Sequence, residues 1–131
     1  MTRGRPRCVI DASAVAAVLF REPDGERVLR ALPATGWVAP PLLPIEIANV
    51  ARHKVRSRRL GRSDAEKLLA TLDRWRIRRV DVAWRDAWDL AWRHDLTLYD
   101  ATYLHLAVSR DVPLVTLDAG LRAAAGSRVL P

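Results

Sequence analysis

Four acidic residues stand in apolar parts of this sequence, where charged side chains are unusual: Asp11, Glu46, Asp100 and Asp118. Asp11 directly follows the run Cys-Val-Ile, and Glu46 has an isoleucine on each side. An ionised carboxylate in apolar surroundings has to be paired, hydrogen-bonded or bound to a cation. We therefore take these four residues as the candidate catalytic and metal-binding set.

A set made only of carboxylates favours particular metals. Mg²⁺ and Mn²⁺ prefer oxygen ligands, whereas zinc and copper favour histidine or cysteine. The three histidines are dispersed in the sequence, and Cys8 is the single cysteine. Because Cys8 lies in an apolar run, we expect it to be buried rather than reactive. The prediction is one or two Mg²⁺ or Mn²⁺ ions bound by the four acids.

Helix capping is the alternative role for each aspartate taken alone. An Asp at the point where a strand enters a helix usually accepts hydrogen bonds from the free backbone N–H groups of the first turn. Glu46 does not fit this explanation, because Glu is a poor N-cap residue. The hypothesis of a site therefore depends on the convergence of all four acids, which would repel one another strongly unless cations bound between them.

The hydrophobic pattern predicts the elements that position these acids. Strands are expected at Arg7–Ile10, Gly36–Ala39, Val80–Val82, Pro113–Leu117 and Arg128–Leu130. Helices are expected at about Asp11–Phe20, Glu26–Leu32, Leu43–Arg58, Trp84–His94 and Asp100–Arg110, with one more opened by a capping box at Ser63–Glu66. Short apolar strands that alternate with helices indicate an α/β fold with a central parallel sheet of about five strands, covered on both faces.

The predicted sheet brings the four acids toward one edge. Asp11 and Asp118 follow strands, while Glu46 and Asp100 stand in the first turns of helices. In a doubly wound sheet the ligand crevice lies at the carboxyl ends of the strands, beside the helix N-termini. Three small polar residues close to the acids are predicted to support the site through hydrogen bonds to a carboxylate or a bound water: Ser13, Asn49 and Thr116.

The formal net charge of +7 indicates a polyanionic partner. One block of basic residues contains no acid and is predicted to bind RNA: Arg52, Lys54, Arg56, Arg58, Arg59 and Arg62. A second cluster surrounds Trp75: Arg74, Arg76, Arg78 and Arg79. The alternative for both is an ordinary solvated surface.

Length and composition limit the class of protein. At 131 residues the chain fits a single domain spanning 1–131, with residues 1–6 as a flexible basic tail. The longest apolar runs are too short to cross a bilayer, and no secretory signal follows the first basic residues. We therefore expect a soluble protein of the cytoplasm.

The segments that hold the acids resemble those of PIN domains, and specifically the VapC-type toxins of bacterial toxin–antitoxin pairs. The matching segments are Val9–Ala14, Glu46–Val50, Leu98–Ala107 and Leu114–Asp118. Their order, their spacing and the total length all agree, so the resemblance covers nearly the whole chain. The main departure is a few extra basic residues before the first strand.

The resemblance implies a three-layer α/β/α sandwich and endoribonuclease activity that depends on Mg²⁺ or Mn²⁺. By position, Asp11, Glu46, Asp100 and Asp118 take over the metal-binding acids of the family. It also implies RNA as the substrate, a homodimer, and a cognate VapB-type antitoxin that blocks the site.

Three tryptophans recur at intervals of four residues and form one stripe on a predicted helix: Trp84, Trp88 and Trp92. Core packing is one explanation of this stripe. A dimer or antitoxin surface is the other, because large aromatic residues are enriched at protein interfaces.

Other functions are weighed against the ribonuclease. A phosphohydrolase of the haloacid dehalogenase type would need a second Asp two residues after Asp11 and a lysine in the site. Position 13 is serine, and the two lysines, Lys54 and Lys67, lie in predicted helices away from strand ends. A non-catalytic RNA- or partner-binding scaffold and a housekeeping RNA-processing nuclease remain as alternatives.

Overall fold

The computed structural model describes residues 4–131 and contains a five-stranded sheet. Its strands are β1 (Cys8–Ile10), β2 (Trp37–Ala39), β3 (Arg78–Arg79), β4 (Leu114–Val115) and β5 (Val129–Leu130). Every neighbouring pair is parallel, and the strand order is β3-β2-β1-β4-β5. The expected parallel sheet is confirmed.

Seven helices connect and cover these strands. They are α1 (Ala12–Leu19), α2 (Gly25–Ala31), α3 (Leu43–Arg56), α4 (Arg62–Thr71), α5 (Trp84–His94), α6 (Leu98–Arg110) and α7 (Ala119–Ala125). Helix α1 packs against α2 and α3, α3 packs against α4, and α6 packs against both α5 and α7. The chain moves outward from β1 to β3 and then returns to β4, so right-handed crossovers place these two groups of helices on opposite faces. This arrangement is the α/β/α sandwich that was expected.

The core is centred on β1. All three residues of β1 are completely buried, and β4 is buried beside it. Near-continuous apolar strands of this kind are typical of a parallel sheet covered on both faces. Burial raises the pKa of the Cys8 thiol to about 12, so this cysteine stays protonated and unreactive, as expected.

Two predictions about local structure are wrong. The third strand was expected at Val80–Val82, but β3 lies at Arg78–Arg79, where it pairs with β2 at the sheet edge. An edge strand does not need an apolar sequence, because one of its sides faces solvent.

The capping box predicted at Ser63–Glu66 does not form either. The N-cap residue of α4 is Gly61, two residues before Ser63, and Glu66 pairs with Arg62 at 2.9 Å.

The expected basic tail is only partly described. Residues 1–3 of that tail lie outside the described residues. Among the others, the carbonyl of Gly4 accepts a hydrogen bond of 3.4 Å from Arg78 Nη1, and the backbone N–H of Arg7 donates to the carbonyl of Gly36. In the described residues, no helix combines the length and the apolar character that a bilayer crossing requires.

The tryptophan stripe on α5 faces outward. Trp84, Trp88 and Trp92 are 52%, 47% and 74% exposed, and adjacent rings meet edge to face at 6.1 and 5.9 Å between centroids. Core packing as the explanation of the stripe is therefore wrong. The rings contact mainly one another and leave an apolar surface open to solvent.

Candidate active site

The candidate site lies where the chain direction across the sheet reverses. β1 and β4 are neighbours in the sheet, although β1 is connected through its own helices to β2 on the other side. A crevice forms at such a point, because the connections leave the two strands on opposite faces. Asp11 follows β1 by one residue and Asp118 follows β4 by three, so both lie at this crevice.

The Asp11 carboxylate is fixed by three donors. Asp11 is 3% exposed and is the N-cap residue of α1. Its Oδ1 accepts hydrogen bonds from the Ser13 hydroxyl at 2.7 Å and from the Ala14 backbone N–H at 3.0 Å. Its Oδ2 accepts from the Thr116 hydroxyl at 2.5 Å. Capping through the Ala14 N–H is therefore one role of Asp11. Its hydrogen bonds from the Ser13 and Thr116 hydroxyl groups are additional and are not part of the helix cap.

Ser13 and Thr116 also join the end of β1 to the loop after β4. The backbone N–H of Leu117 donates to Ser13 Oγ at 2.9 Å, and that of Asp118 donates to Thr116 Oγ1 at 3.0 Å. Each hydroxyl has one proton, which it gives to Asp11, so its lone pairs are free to accept these bonds. The two side chains thus set the separation of the two loops that carry the aspartates.

Asp118 and Asp100 differ in their helix positions. Asp118 caps α7 and accepts a hydrogen bond from the Leu121 N–H at 2.9 Å through Oδ2, which leaves Oδ1 for another partner. In α6 the N-cap residue is Thr97, whose hydroxyl accepts from the Asp100 N–H at 3.1 Å. The Asp100 side chain is therefore not used as a cap, and the capping explanation does not apply to it.

Glu46 is held by a residue that sequence reasoning missed. The hydroxyl of Tyr103 donates to Glu46 Oε1 at 2.7 Å, and Tyr103 is only 1% exposed. Asn49, which was expected to orient Glu46, is exposed and makes no side-chain hydrogen bond within residues 4–131. A signal for Tyr103 was present: it lies three residues after Asp100 on the same helix face, and a buried tyrosine hydroxyl needs a partner.

The acids influence one another's ionisation. Burial raises the pKa of Asp11 to about 6, and the charge on Asp118 adds to this effect. The pKa of Glu46 is raised by burial and then by the charges of Asp100 and Asp11. Burial followed by the charge on Asp118 raises the pKa of Asp100. Asp11, Glu46 and Asp100 therefore each lie close enough to another of the four acids for its charge to disfavour their ionisation.

No cation in residues 4–131 forms an ion pair with these acids. Nor do any three His, Cys, Asp or Glu side chains there group tightly enough to enclose an ion together. Mg²⁺ is commonly held by only one or two carboxylates and several waters, so a wider cluster of oxygen donors still suits it. The donor chemistry and the uncompensated charge fit a hard divalent cation.

The basic residues of the predicted RNA-binding block differ in their exposure and in their contacts. Lys54 is directed toward α1, where its Nζ lies 2.8 Å from Glu22 Oε1 and 5.4 Å from the centroid of the Phe20 ring. Its side chain is only 15% exposed and is already ion-paired, which disfavours the predicted RNA contact at Lys54. Arg62 pairs with Glu66 on the surface. The remaining members of the block are exposed: Arg52, Arg56, Arg58 and Arg59.

Comparison with known proteins identifies the family. The family model described as the PIN domain matches residues 8–127. The chain belongs to the PIN domain family. This PIN domain is 37% identical over 123 residues to Ribonuclease VapC1 of Mycobacterium tuberculosis, with 91% of each chain covered. It is also 32% identical to Ribonuclease VapC3 of Pyrobaculum aerophilum, over 88% of this chain and 92% of that protein.

The fold of this PIN domain is also found in a solved structure. PAE2754 from Pyrobaculum aerophilum superposes with a TM-score of 0.75 and covers 95% of this chain and 83% of that one. The sequence identity is 22%, so this likeness supports the fold alone. The resemblance to PIN domains, and to VapC ribonucleases among them, is confirmed by the family model and the curated relatives together.

Proposed function

We propose that this PIN domain is an endoribonuclease that depends on Mg²⁺ or Mn²⁺ and is the toxin of a type II VapBC toxin–antitoxin pair. The observation that carries the proposal is the uncompensated cluster of Asp11, Glu46, Asp100 and Asp118 beside the β1–β4 crevice. The curated relatives over most of the chain are named ribonucleases, which supports the same activity.

The four acids would bind the metal, and neighbouring residues would hold them in place. A bound divalent ion lowers the pKa of a water and stabilises negative charge on the attacked phosphate. The Asp11 carboxylate is held by Ser13 and Thr116, so it cannot rotate away from the crevice. Glu46 reaches the crevice from α3 and is held there by Tyr103 of α6. Helices from both faces of the sheet thus contribute to one site.

Water, and not the ribose 2′-hydroxyl, is the nucleophile in this proposal, because a bound divalent ion would make water a stronger nucleophile at neutral pH. Hydrolysis by water leaves a 5′-phosphate and a 3′-hydroxyl on the products. In this proposal the RNA backbone would be contacted by the exposed arginines of α3 and of the turn after it: Arg52, Arg56, Arg58 and Arg59. Target choice would then come from the shape and the unpaired bases of the RNA.

The proposal includes two protein partners, a VapB-type antitoxin and a second copy of this chain. The exposed tryptophan stripe on α5 supports an interface, because large aromatic residues are enriched where proteins associate. Sedimentation of the purified chain, alone and with its antitoxin, distinguishes the two occupants. A Trp92→Gln variant should weaken whichever association uses the stripe and leave the other unchanged.

Replacement of Asp11 tests the activity. Asp11→Asn keeps the size of the side chain but removes its charge, so we expect RNA cleavage to be lost while the circular dichroism spectrum stays that of the wild type. Asp24→Asn is the matched control, because Asp24 is exposed and far from the cluster in sequence. Cleavage by Asp11→Asn at the wild-type rate, in protein free of contaminating nuclease, would overturn the assignment.

A further inference from the structure

A second basic surface lies outside the carboxylate cluster. A groove of about 980 Å³ runs along β3, between the segment before β1 and the 3₁₀ turn at Leu72–Trp75. Five arginines line it: Arg5, Arg7, Arg76, Arg78 and Arg79. We call it the β3 groove. Arg76, Arg78 and Arg79 belong to the cluster around Trp75, while Arg5 and Arg7 come from the basic segment that precedes the first strand.

The positive charge of the β3 groove is not neutralised by the protein. Asp73 is the single acidic residue among those that line it. None of the five arginines forms a salt bridge with any carboxylate in residues 4–131. Five like charges in one concave surface repel each other and attract an anion from solution. The surface therefore has the electrostatic character of a site for a polyanion.

The groove is also built to a definite shape. The aliphatic part of Arg7 lies directly over Gly36, where an added Cβ would come within 2.8 Å of Arg7 Cγ. Gly36 has φ +84, a conformation that favours glycine, so both its backbone and its missing side chain make room for Arg7. Arg78 in turn donates to the Gly4 carbonyl across the groove. These contacts fix two of the arginines.

An aromatic ring accompanies the charges. Trp37 lines the groove, and its Nε1 donates to the Pro33 carbonyl at 2.7 Å. Its ring meets Trp75 edge to face at 6.2 Å, so it is held in one orientation. Arginines that follow a backbone, combined with an aromatic face on which a base can stack, are the usual means of binding single-stranded nucleic acid.

The β3 groove reaches the start of the helix that carries Glu46. Leu43 and Pro44, the first two residues of α3, line the groove. Glu46 follows Pro44 by two residues, which is about 3 Å along the helix axis. The groove therefore touches the same helix as the carboxylate cluster, but much of its lining precedes β1, β2 and β3, at the edge of the sheet opposite the crevice.

We propose that the β3 groove binds the phosphodiester backbone of single-stranded RNA, as a surface separate from the carboxylate crevice. This inference rests on the proposed ribonuclease function and extends it, because it assigns part of the RNA-binding surface to residues outside the block at Arg52–Arg62. Arg5, Arg76 and Arg79 contact phosphates as exposed cations, and Arg7 and Arg78 form the fixed part of the wall.

A charge-matched comparison tests the groove. The groove variant combines Arg5→Gln, Arg76→Gln and Arg79→Gln, three exposed positions at which the arginine makes no salt bridge within the described residues. The control variant combines Arg21→Gln, Arg93→Gln and Arg110→Gln, which are also exposed and lie outside the groove. The two sets remove the same charge, and Arg21 matches Arg76 in its left-handed backbone as well, with φ 53 and 54.

The readout is the affinity for a fluorescein-labelled single-stranded RNA of mixed sequence, measured by anisotropy in EDTA over a range of salt concentrations. We expect the groove variant to bind at least about 10-fold more weakly than wild type, with a salt slope lower by about 2, since each lost phosphate contact removes about 0.7. The control variant should stay within about twofold of wild type. The inference is overturned if both variants lose RNA affinity equally, or if the groove variant loses none.

Cleavage measured beside binding separates this inference from the proposed function. If wild-type protein cuts RNA with Mn²⁺ and the groove variant binds like the control, the groove assignment is wrong and the nuclease assignment stands. If wild-type protein neither binds nor cuts RNA, the proposed function fails and the inference fails with it. Thermal melting of both variants shows that each is folded.

Discussion

Tyr103 lies between two acids of the candidate site and donates to one of them. Its hydroxyl is the hydrogen-bond donor of Glu46, while its position on α6 is one turn from Asp100. This bond lowers the pKa of Glu46, against the larger raising effect of burial. At the scale of single residues, the ionisation of the cluster therefore depends on a group that binds neither substrate nor metal.

Tyr103→Phe should raise the pKa of Glu46 further, because it removes that hydrogen bond and nothing else. We expect the acid limb of the pH profile of RNA cleavage to move to higher pH, with a loss of about 10-fold in rate at neutral pH. The free energy of unfolding should fall by only about 1 kcal/mol. Tyr99→Phe is the control, since Tyr99 is 66% exposed. An unmoved acid limb would contradict the positioning role of Tyr103.

Asp11 should make the metal-free protein less stable as the pH rises. Burial raises its pKa to about 6 in the folded state, against 3.8 for the free side chain. The folded state therefore holds its proton over a range where the unfolded chain has lost it. This contribution is fully present below pH 3.8 and is lost as the pH rises through about 6, with a total of about 3 kcal/mol.

Urea unfolding in EDTA at several pH values measures this effect. The free energy of unfolding of wild type should fall between pH 4 and pH 7 relative to that of Asp11→Asn, which cannot ionise at this position. The raised pKa values of Glu46 and Asp100 contribute in the same direction in both proteins. Parallel pH curves for the two proteins would show that burial does not raise the pKa of Asp11.

Packing between elements explains which strands could be predicted from the sequence and which could not. The parallel sheet could be predicted, because strands buried on both faces must be apolar throughout, as β1 is. β3 could not, since an edge strand composed of Arg78 and Arg79 has no apolar pattern. Strand order could not be predicted either. It depends on which helices pack on which face of the sheet, and no local sequence pattern indicates this.

In the candidate site, too, some residues could be predicted from the sequence and some contacts could not. Asp11 and Asp118 stand out in sequence because each follows an apolar strand. The bond between Glu46 and Tyr103 joins residues 57 positions apart, so only the packing of α3 and α6 around the sheet edge reveals it. The packing of Lys54 could not be predicted for a related reason. Several basic residues lie near it in sequence, but its partner, Glu22, comes from the turn after α1.

Lys54 should matter for the packing of α3 on α1 and not for RNA. Lys54→Gln removes the ion pair with Glu22 and the contact with Phe20, so we expect a loss of up to about 1 kcal/mol in the free energy of unfolding. RNA affinity should change by less than about twofold. Arg56→Gln, on the exposed side of the same helix, should lower RNA affinity and leave the free energy of unfolding nearly unchanged. An RNA affinity that falls more with Lys54→Gln than with Arg56→Gln would restore Lys54 to the binding surface.

Over the whole molecule, opposite charges are separated in space. The net charge is +7, yet none of the four candidate acids forms a salt bridge within the described residues. Exposed arginines on α3 and in the β3 groove favour a polyanion, whereas the unpaired carboxylates favour a divalent cation.

Calorimetric titration of Mn²⁺ into the purified chain tests the central claim, the convergence of four acids on one metal site. Five variants are compared with wild type: Asp11→Asn, Glu46→Gln, Asp100→Asn, Asp118→Asn and the exposed control Asp24→Asn. We predict that wild type and the control bind Mn²⁺ alike and that each of the other four binds at least about 10-fold more weakly. Wild-type affinity in Glu46→Gln or Asp100→Asn would contradict the claim, because those acids reach the crevice only through the helices.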